Sequence, residues 1–218
     1  MRRNLIALYL IKLSKWFSLV MPIIVLFYEE QGLGLHEVFI LKSVYSVAAV
    51  ALEIPSGYLA DVWGRKRCLL WGSVLFFLGY LLYSFTGAFS AFLCAELLLG
   101  AGQTLVNGAD SALLYDTAAH YKAEQHYLRY EGQLTMIGNF AEAIAGIFGG
   151  LLAAYSLRFP FYGQAFVAFI GIPAALAIRE YNHSGAVRNP ASEILRIIRY
   201  SLGENRALRY NILFSGII

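Results

Sequence analysis

Apolar residues fall in six long blocks, roughly 5–28, 37–60, 67–86, 90–117, 132–155 and 160–179, separated by short polar turns. A seventh block begins near Tyr210 and runs to Ile218. A hydrocarbon core about 30 Å thick takes about 20 mostly apolar residues of helix, so each complete block predicts one transmembrane helix. The blocks are too long for the short alternating strands of a membrane barrel. The first follows Arg2 and Arg3, as a signal peptide would, but it is too long and lacks a small-x-small cleavage site. It is therefore expected to be the first span. Between the sixth block and the seventh lies a polar stretch. Asn189-Pro190 fits a cap and first-turn proline, Ile194, Ile197, Ile198 and Leu202 recur at helical spacing, and Gly203 is placed to stop the helix. Arg196 and Arg199 fall on its other side, which predicts a basic amphipathic helix resting on headgroups. The expected organisation is a six-helix transmembrane domain over 1–180, a linker over 181–209, and the truncated start of a seventh span over 210–218.

Polar positions inside the blocks are few and ordered. Lys12 and Lys15 fall in the first span, Lys42 and Glu53 in the second, Glu96 and Asp110 in the fourth, and Glu142 in the fifth. A charge at the bilayer centre costs about 2.5–3.5 kcal/mol on the lenient insertion scale. Seven facing lipid would cost about 20 kcal/mol, more than a domain's net stability. They must face a wet cavity or one another. Spacing agrees: Glu96, Gly100, Gln103, Asn107 and Asp110 follow one another by four, three, four and three residues, one stripe on a helix. Thr135, Gly138, Glu142, Gly146 and Gly149 form a second stripe, and Lys42, Tyr45, Ala49, Glu53 and Ser56 a third. The third and sixth spans carry no charge and can face lipid. Lys12 and Lys42 are close enough to span ends to snorkel, whereas the short acids are not. Asn139 fits helix packing as readily as binding, and Gly146 with Gly150 makes a small-xxx-small pair that lets helices approach.

Composition and charge narrow the class. Hydrophobic residues make up 59% and charged residues 14%, with mean hydropathy +0.59, which excludes a water-soluble globular enzyme. Aromatics at 15% exclude disorder. Cys68 and Cys94 lie in apolar runs and read as packing residues, with no disulfide framework or metal site. The net charge of +3 matters through its distribution. With the N-terminus in the cytoplasm, thirteen Lys and Arg fall on that side, and Arg158 alone falls outside. The first outer loop is acidic, with Glu29, Glu30 and Glu37.

The turn after the second span reads Gly57-Tyr58-Leu59-Ala60-Asp61-Val62-Trp63-Gly64-Arg65-Lys66-Arg67. Gly57 suits a close helix contact, Gly64 a tight bend, Asp61 a helix end, and Arg65 a carboxylate. Asp116, at the end of the fourth span, is the candidate partner. This loop closely resembles the signature of the major facilitator superfamily, Gly-x-x-x-Asp-basic-x-Gly-Arg-basic-basic, with Val62 the one departure. Glu96-Leu97-Leu98-Leu99-Gly100-Ala101-Gly102 is similar to the family's helix-4 motif, with Glu96 where many members have Arg. Gly146 to Gly150 resembles the antiporter motif Gly-Pro-x-x-Gly-Gly, with Ile147 replacing proline. The resemblance implies an all-α fold of six helices built as a 3+3 inverted repeat, the N-terminal half of a transporter. It implies that spans 1, 2, 4 and 5 line the cavity and that a second six-helix domain completes it. It also implies a gate made of Gly57, Asp61, Gly64, Arg65, Lys66, Arg67 and Asp116.

The function expected from these residues is secondary active transport of a small solute by alternating access, proton-coupled, with export favoured by the antiporter-like motif. Lys12, Lys15, Glu53, Glu96, Gln103, Asn107, Asp110, Asn139 and Glu142 are the candidate substrate and proton residues. A carboxyl in low dielectric holds its proton nearer neutrality, which suits coupling. The expected partners are the solute, H+, bilayer lipid and the second domain, with no nucleic acid, cofactor or metal. The expected location is a multi-pass position in a plasma membrane, preferably a bacterial inner membrane. Two other classes compete. A receptor or scaffold could use the same frame, since fold does not fix function. An intramembrane hydrolase is suggested only by Pro55-Ser56-Gly57 and Tyr115-Asp116, and His36, His120, His126 and His183 all lie outside the spans, where none can serve as base. No catalytic residue is assigned.

Overall fold

The structure is a computed structural model and describes residues 1–181. The linker helix expected after Asn189 and the seventh span lie outside the described residues. The helices are α1 (Arg2–Trp16), α2 (Ile24–Glu30), α3 (Leu35–Trp63), α4 (Arg65–Phe85), α5 (Phe89–His120), α6 (Tyr127–Ala153) and α7 (Phe159–Ala177). No strand occurs among the described residues. Six segments are long and apolar enough to cross a membrane, the first combining α1 and α2 over Arg2–Glu30.

That first segment corrects the sequence reading, which expected one helix over 5–28. The α-helix stops at Trp16, a 3₁₀ turn occupies Met21–Ile23, and α2 resumes at Ile24. Pro22 lies in the 3₁₀ turn, where its missing N–H leaves no bond unmade. The Leu19 N–H donates to the buried Gln164 Oε1 on α7 at 2.8 Å, replacing the helical acceptor it lacks. On α6, Gly149 lets the backbone at Leu19 come close enough that a Cβ would fall on its carbonyl. The expected small-residue pair is also displaced. Among the described residues nothing lies within 4 Å of a would-be Cβ on Gly146 or Gly150, and the close approach is at Gly149.

The remaining helices begin and end for local reasons. The Gly34 N–H donates to Glu37 Oε2 at 2.9 Å, closing the start of α3. Gly64 is the single residue between α3 and α4, at φ +98°, where a side chain would be strained. Helix α6 begins at Tyr127, five residues before the expected block, because its first turn is polar.

Helix α4 lies between α5 and α7, α3 packs along α5, and α1 rests on α6 and α7. Two apolar clusters fill the bundle. The basic end, which carries Arg2, Arg3 and the Gly64 turn, buries Leu8, Ile11, Leu69, Leu113, Leu114 and Ile178. The opposite end buries Phe27, Tyr28, Tyr83, Phe92 and Phe161, with the Phe27 and Phe161 ring centroids 4.1 Å apart. Cys68 is inside the first cluster, while Cys94 lies on the outer surface. Phe85, Phe166, Phe169 and Leu176 are exposed on α4 and α7, as suits helices that meet lipid.

Candidate functional site

The stripe on α5 is the spine of the site. Its upper residue, Glu96, is 1% exposed and sits in a cage of donors. Lys42 on α3 donates to Glu96 Oε1 at 2.6 Å, Tyr28 on α2 at 2.9 Å and Tyr83 on α4 at 2.8 Å. The two phenol oxygens are 2.6 Å apart, and the Lys42 ammonium stands 5.6 Å over the Tyr28 ring. Four helices thus converge on one carboxylate. Charge-assisted bonds of this kind are about twice as strong as neutral ones, which makes a buried acid tolerable.

At the lower end of the stripe, Lys12 on α1 meets Asp110 at 3.5 Å and Glu131 on α6 at 4.0 Å. The same ammonium lies 5.8 Å over the Trp16 ring. Ser111 donates its hydroxyl hydrogen to Glu131 Oε1 at 3.1 Å. Between these two clusters, Lys15 donates to Asn107 Oδ1. Lys12, Lys15, Glu96 and Asp110 thus each meet a polar partner within the bundle.

Two adjoining cavities open along the stripe. One, of 340 Å³, is lined by Lys15, Lys42, Tyr45, Tyr80, Glu96 and Gln103, among others. The second, of 570 Å³, is lined by Tyr45, Ser46, Glu53, Ser56, Gln103, Thr104 and Asn107 with small residues between them. Tyr45 and Gln103 belong to both. The helices can leave this space because Gly100 meets the α3 backbone at Tyr45, and Gly108 meets it at Gly57. A Cβ on Gly108 would stand 3.2 Å from the Gly57 nitrogen, whereas one on Gly57 would meet nothing within 4 Å. The close contact expected of Gly57 is real, but Gly108 is the residue that must stay small.

Three candidates stand apart from the ion-paired clusters. Glu53 is exposed in the second cavity and makes no ion pair with the described residues. Glu142 is half-buried on α6 without an ion pair among them, and Asn139 is exposed on the same helix. Neither lines the two cavities.

At the basic end, Arg65 forms an ion pair with Asp116, donates to the Ala112 carbonyl, and stands 3.7 Å from Asp61. The Arg65 N–H donates to Glu180 Oε1 at 2.6 Å, placing a carboxylate at the start of α4. Asp61 remains largely exposed, with a side chain 69% accessible. Lys66 and Arg67 make no ion pair among the described residues. Sequence reading named the Arg65–Asp116 partnership but missed Glu180, Glu131, Tyr28 and Tyr83. Glu131 was hidden by a span boundary drawn one residue after it. The tyrosines carry no charge, so hydropathy could not set them apart.

The pattern that defines the Major Facilitator Superfamily matches residues 13–217. The chain belongs to this superfamily. It is thus a multi-pass membrane protein of a transporter family. An uncharacterized MFS-type transporter of Methanocaldococcus jannaschii is 23% identical over 158 residues, which is 72% of this chain and 39% of that protein. The quinolone resistance protein NorA of Staphylococcus aureus is 23% identical over 157 residues, with the same coverage of 72% and 39%. Among solved structures, the peptide transporter POT in complex with sulfate superposes with a TM-score of 0.69 at 20% identity, covering 98% of this chain and 46% of that one. The POT E310Q mutant in complex with alafosfalin gives 0.65 at 18% identity, again over 98% and 46%. These superpositions show the fold. The chain spans 39% of the length of these relatives and 46% of these structures.

Proposed function

We propose that this chain is the N-terminal domain of a secondary active transporter that moves a small solute by alternating access, coupled to protons and working in the direction of export. A linker over 181–209 would carry the chain to a second six-helix domain beginning near Tyr210. The observation that carries the reading is the pairing of charges inside the bundle, Lys42 with Glu96 at the wall of a cavity and Lys12 with Asp110 at the other end of the same stripe, in spans where an unpaired charge is costly. A scaffold needs packing; it does not need ionisable groups at that depth. Export is supported by the antiporter-like run Gly146 to Gly150 and by the likeness to a quinolone resistance protein.

The residues divide the work. Glu53, Glu96, Asp110 and Glu142 are the acids available to exchange a proton, and Lys12, Lys15, Gln103, Asn107 and Asn139 are the polar groups available to a solute, Glu142 and Asn139 acting from α6 outside the two cavities. At the basic end, Arg65 is tied to Asp116, while Asp61 keeps most of its surface free to meet the second domain. Together with Gly57, Gly64, Lys66 and Arg67 this corner is the gate, on the cytoplasmic side of a plasma membrane, preferably a bacterial inner membrane.

The test is solute-coupled proton flux in liposomes holding the full-length protein. Asp61→Asn should lower transport at unchanged expression, and full transport in that variant would remove the gate assignment. Proton-driven transport that survives neutralisation of all four acids would remove the coupling assignment.

A further inference from the structure

A groove runs between α1 and α7 at the basic end of the bundle. It has a volume of 490 Å³ and follows α1 from Arg3 to Leu10 and α7 from Ile170 to Ala177. Ala7 and Ala174 are its buried members, while Ile6, Leu10 and Pro173 stand exposed along it. Two turns of helix cover about 10 Å. The groove therefore reaches through about two-thirds of one leaflet of a hydrocarbon core about 30 Å thick. Arg3 supplies the only charge among the described residues that line it. The Arg3 Nε donates to the Ala177 carbonyl at 2.6 Å, which lays the side chain from α1 across to the end of α7. One residue on, the buried Asn4 donates to the Arg179 carbonyl at 2.7 Å and accepts the Arg179 N–H at 2.9 Å. The backbone at Arg179 is thereby fixed beside the start of α1.

Neither arginine forms an ion pair with the described residues. The adjoining acid, Glu180, is turned to the start of α4, where it accepts the Arg65 N–H at 2.6 Å. A second apolar groove, of 420 Å³ on α3 and α5, is lined by no Lys or Arg among the described residues. The groove on α1 and α7 differs from it in ending on a tethered guanidinium. Guanidinium groups bind phosphate through paired N–H donors, and apolar walls at membrane depth suit a hydrocarbon chain. One class of molecule joins the two. We propose that this groove holds an anionic phospholipid of the leaflet at the basic end, its phosphate on Arg3 and Arg179 and one acyl chain along Ala7 and Ala174. The binding requires that the chain lie in a bilayer and does not depend on transport.

The experiment uses the full-length protein, stripped of lipid in mild detergent and titrated with dioleoyl phosphatidylglycerol or dioleoyl phosphatidylcholine. Native mass spectrometry counts the bound lipids. The two probes share their chains and differ in headgroup charge. An arginine near an anionic headgroup contributes about fivefold in affinity, so the first phosphatidylglycerol should bind at least about tenfold tighter than the first phosphatidylcholine. Arg3→Gln and Arg179→Gln should each lower that preference about fivefold. Arg3→Lys, which keeps the charge, should retain most of it and shows that a loss in Arg3→Gln is not misfolding. Ala177→Phe fills the groove beside Arg3 and should weaken phosphatidylglycerol with both arginines still in place. Arg129→Gln removes an exposed cation of the same end that lies off the groove, and it should leave the preference unchanged. Equal affinity for the two lipids overturns the proposal. So does a preference that survives loss of both Arg3 and Arg179, or one that falls as far in Arg129→Gln, because general attraction to surface charge would then account for it. Unchanged binding in Ala177→Phe overturns it as well, since no acyl chain would then lie in the groove.

Discussion

Glu96 shows what one residue can demand of its surroundings. A carboxylate that is 1% exposed must have its charge met, and here a lysine and two tyrosines meet it through one oxygen. A hydrogen bond to a charged group contributes about 1.5–3 kcal/mol. Tyr83→Phe removes such a bond and also the contact with the Tyr28 hydroxyl. It should therefore lower stability by about 2 kcal/mol, read as a drop in melting temperature of the detergent-solubilised protein. An unchanged melting temperature would mean that the phenols do not hold the acid. The four-three spacing on α5 made Glu96 and Asp110 legible as inward-facing residues, because helical geometry alone sets which positions share a face. Their partners were not legible. Lys42 is 54 positions from Glu96 and Lys12 is 98 from Asp110, and only the packing of whole helices decides which lysine meets which acid.

At the scale of the element, hydropathy found all six spans among the described residues but not the interruption of the first. Phe17, Leu19 and Val20 are as apolar as the helix they interrupt, so the break leaves no trace in a hydrophobicity pattern. It exists because distant residues complete it: Gln164 accepts the freed Leu19 N–H, and Gly149 leaves room for that backbone. Gln164→Leu would strand a buried N–H, at about 1–3 kcal/mol. Gly149→Ala places a methyl on a backbone carbonyl that cannot swing away, and overpacking of this sort costs about 1–3 kcal/mol. Gly146→Ala and Gly150→Ala have open space and should melt with the parent protein. The measurement is the same melting curve for all four variants. If Gly149→Ala were as stable as Gly146→Ala, the close approach of α6 to the break would be wrong. The polar first turn of α6 is a second case of the same limit: a helix continues past the point where its residues stop being apolar, and Glu131 reaches Lys12 from that hidden turn.

For the whole molecule, the decisive asymmetry is between its ends. Thirteen of the Lys and Arg residues fall at one end or in the segment that follows α7, while Arg158 alone falls at the other. That arginine is not free to act as a topological signal. Its guanidinium donates to Gln31 Oε1 at 2.6 Å and to the carbonyls of Ser84 and Thr86 at 3.3 Å, and it lies 5.9 Å from the Phe27 ring centre. It ties the ends of α2, α4 and α7 together, so its charge is occupied in closing carbonyls at helix C-termini. The basic end has the opposite character, with Arg2, Lys66 and Arg67 making no ion pair among the described residues and left available to anionic headgroups. The orientation proposed for the chain, with the short basic loops retained, puts the Gly64 corner inside. In a cysteine-free background, Ala88→Cys at the start of α5 and Gln125→Cys before α6 are exposed at opposite ends. A membrane-impermeant maleimide added to intact cells should label Ala88→Cys at once and Gln125→Cys only after permeabilisation. The reverse pattern would put Asp61, Arg65 and Asp116 on the outer face, and the gate would then have to close from the side opposite to the one proposed.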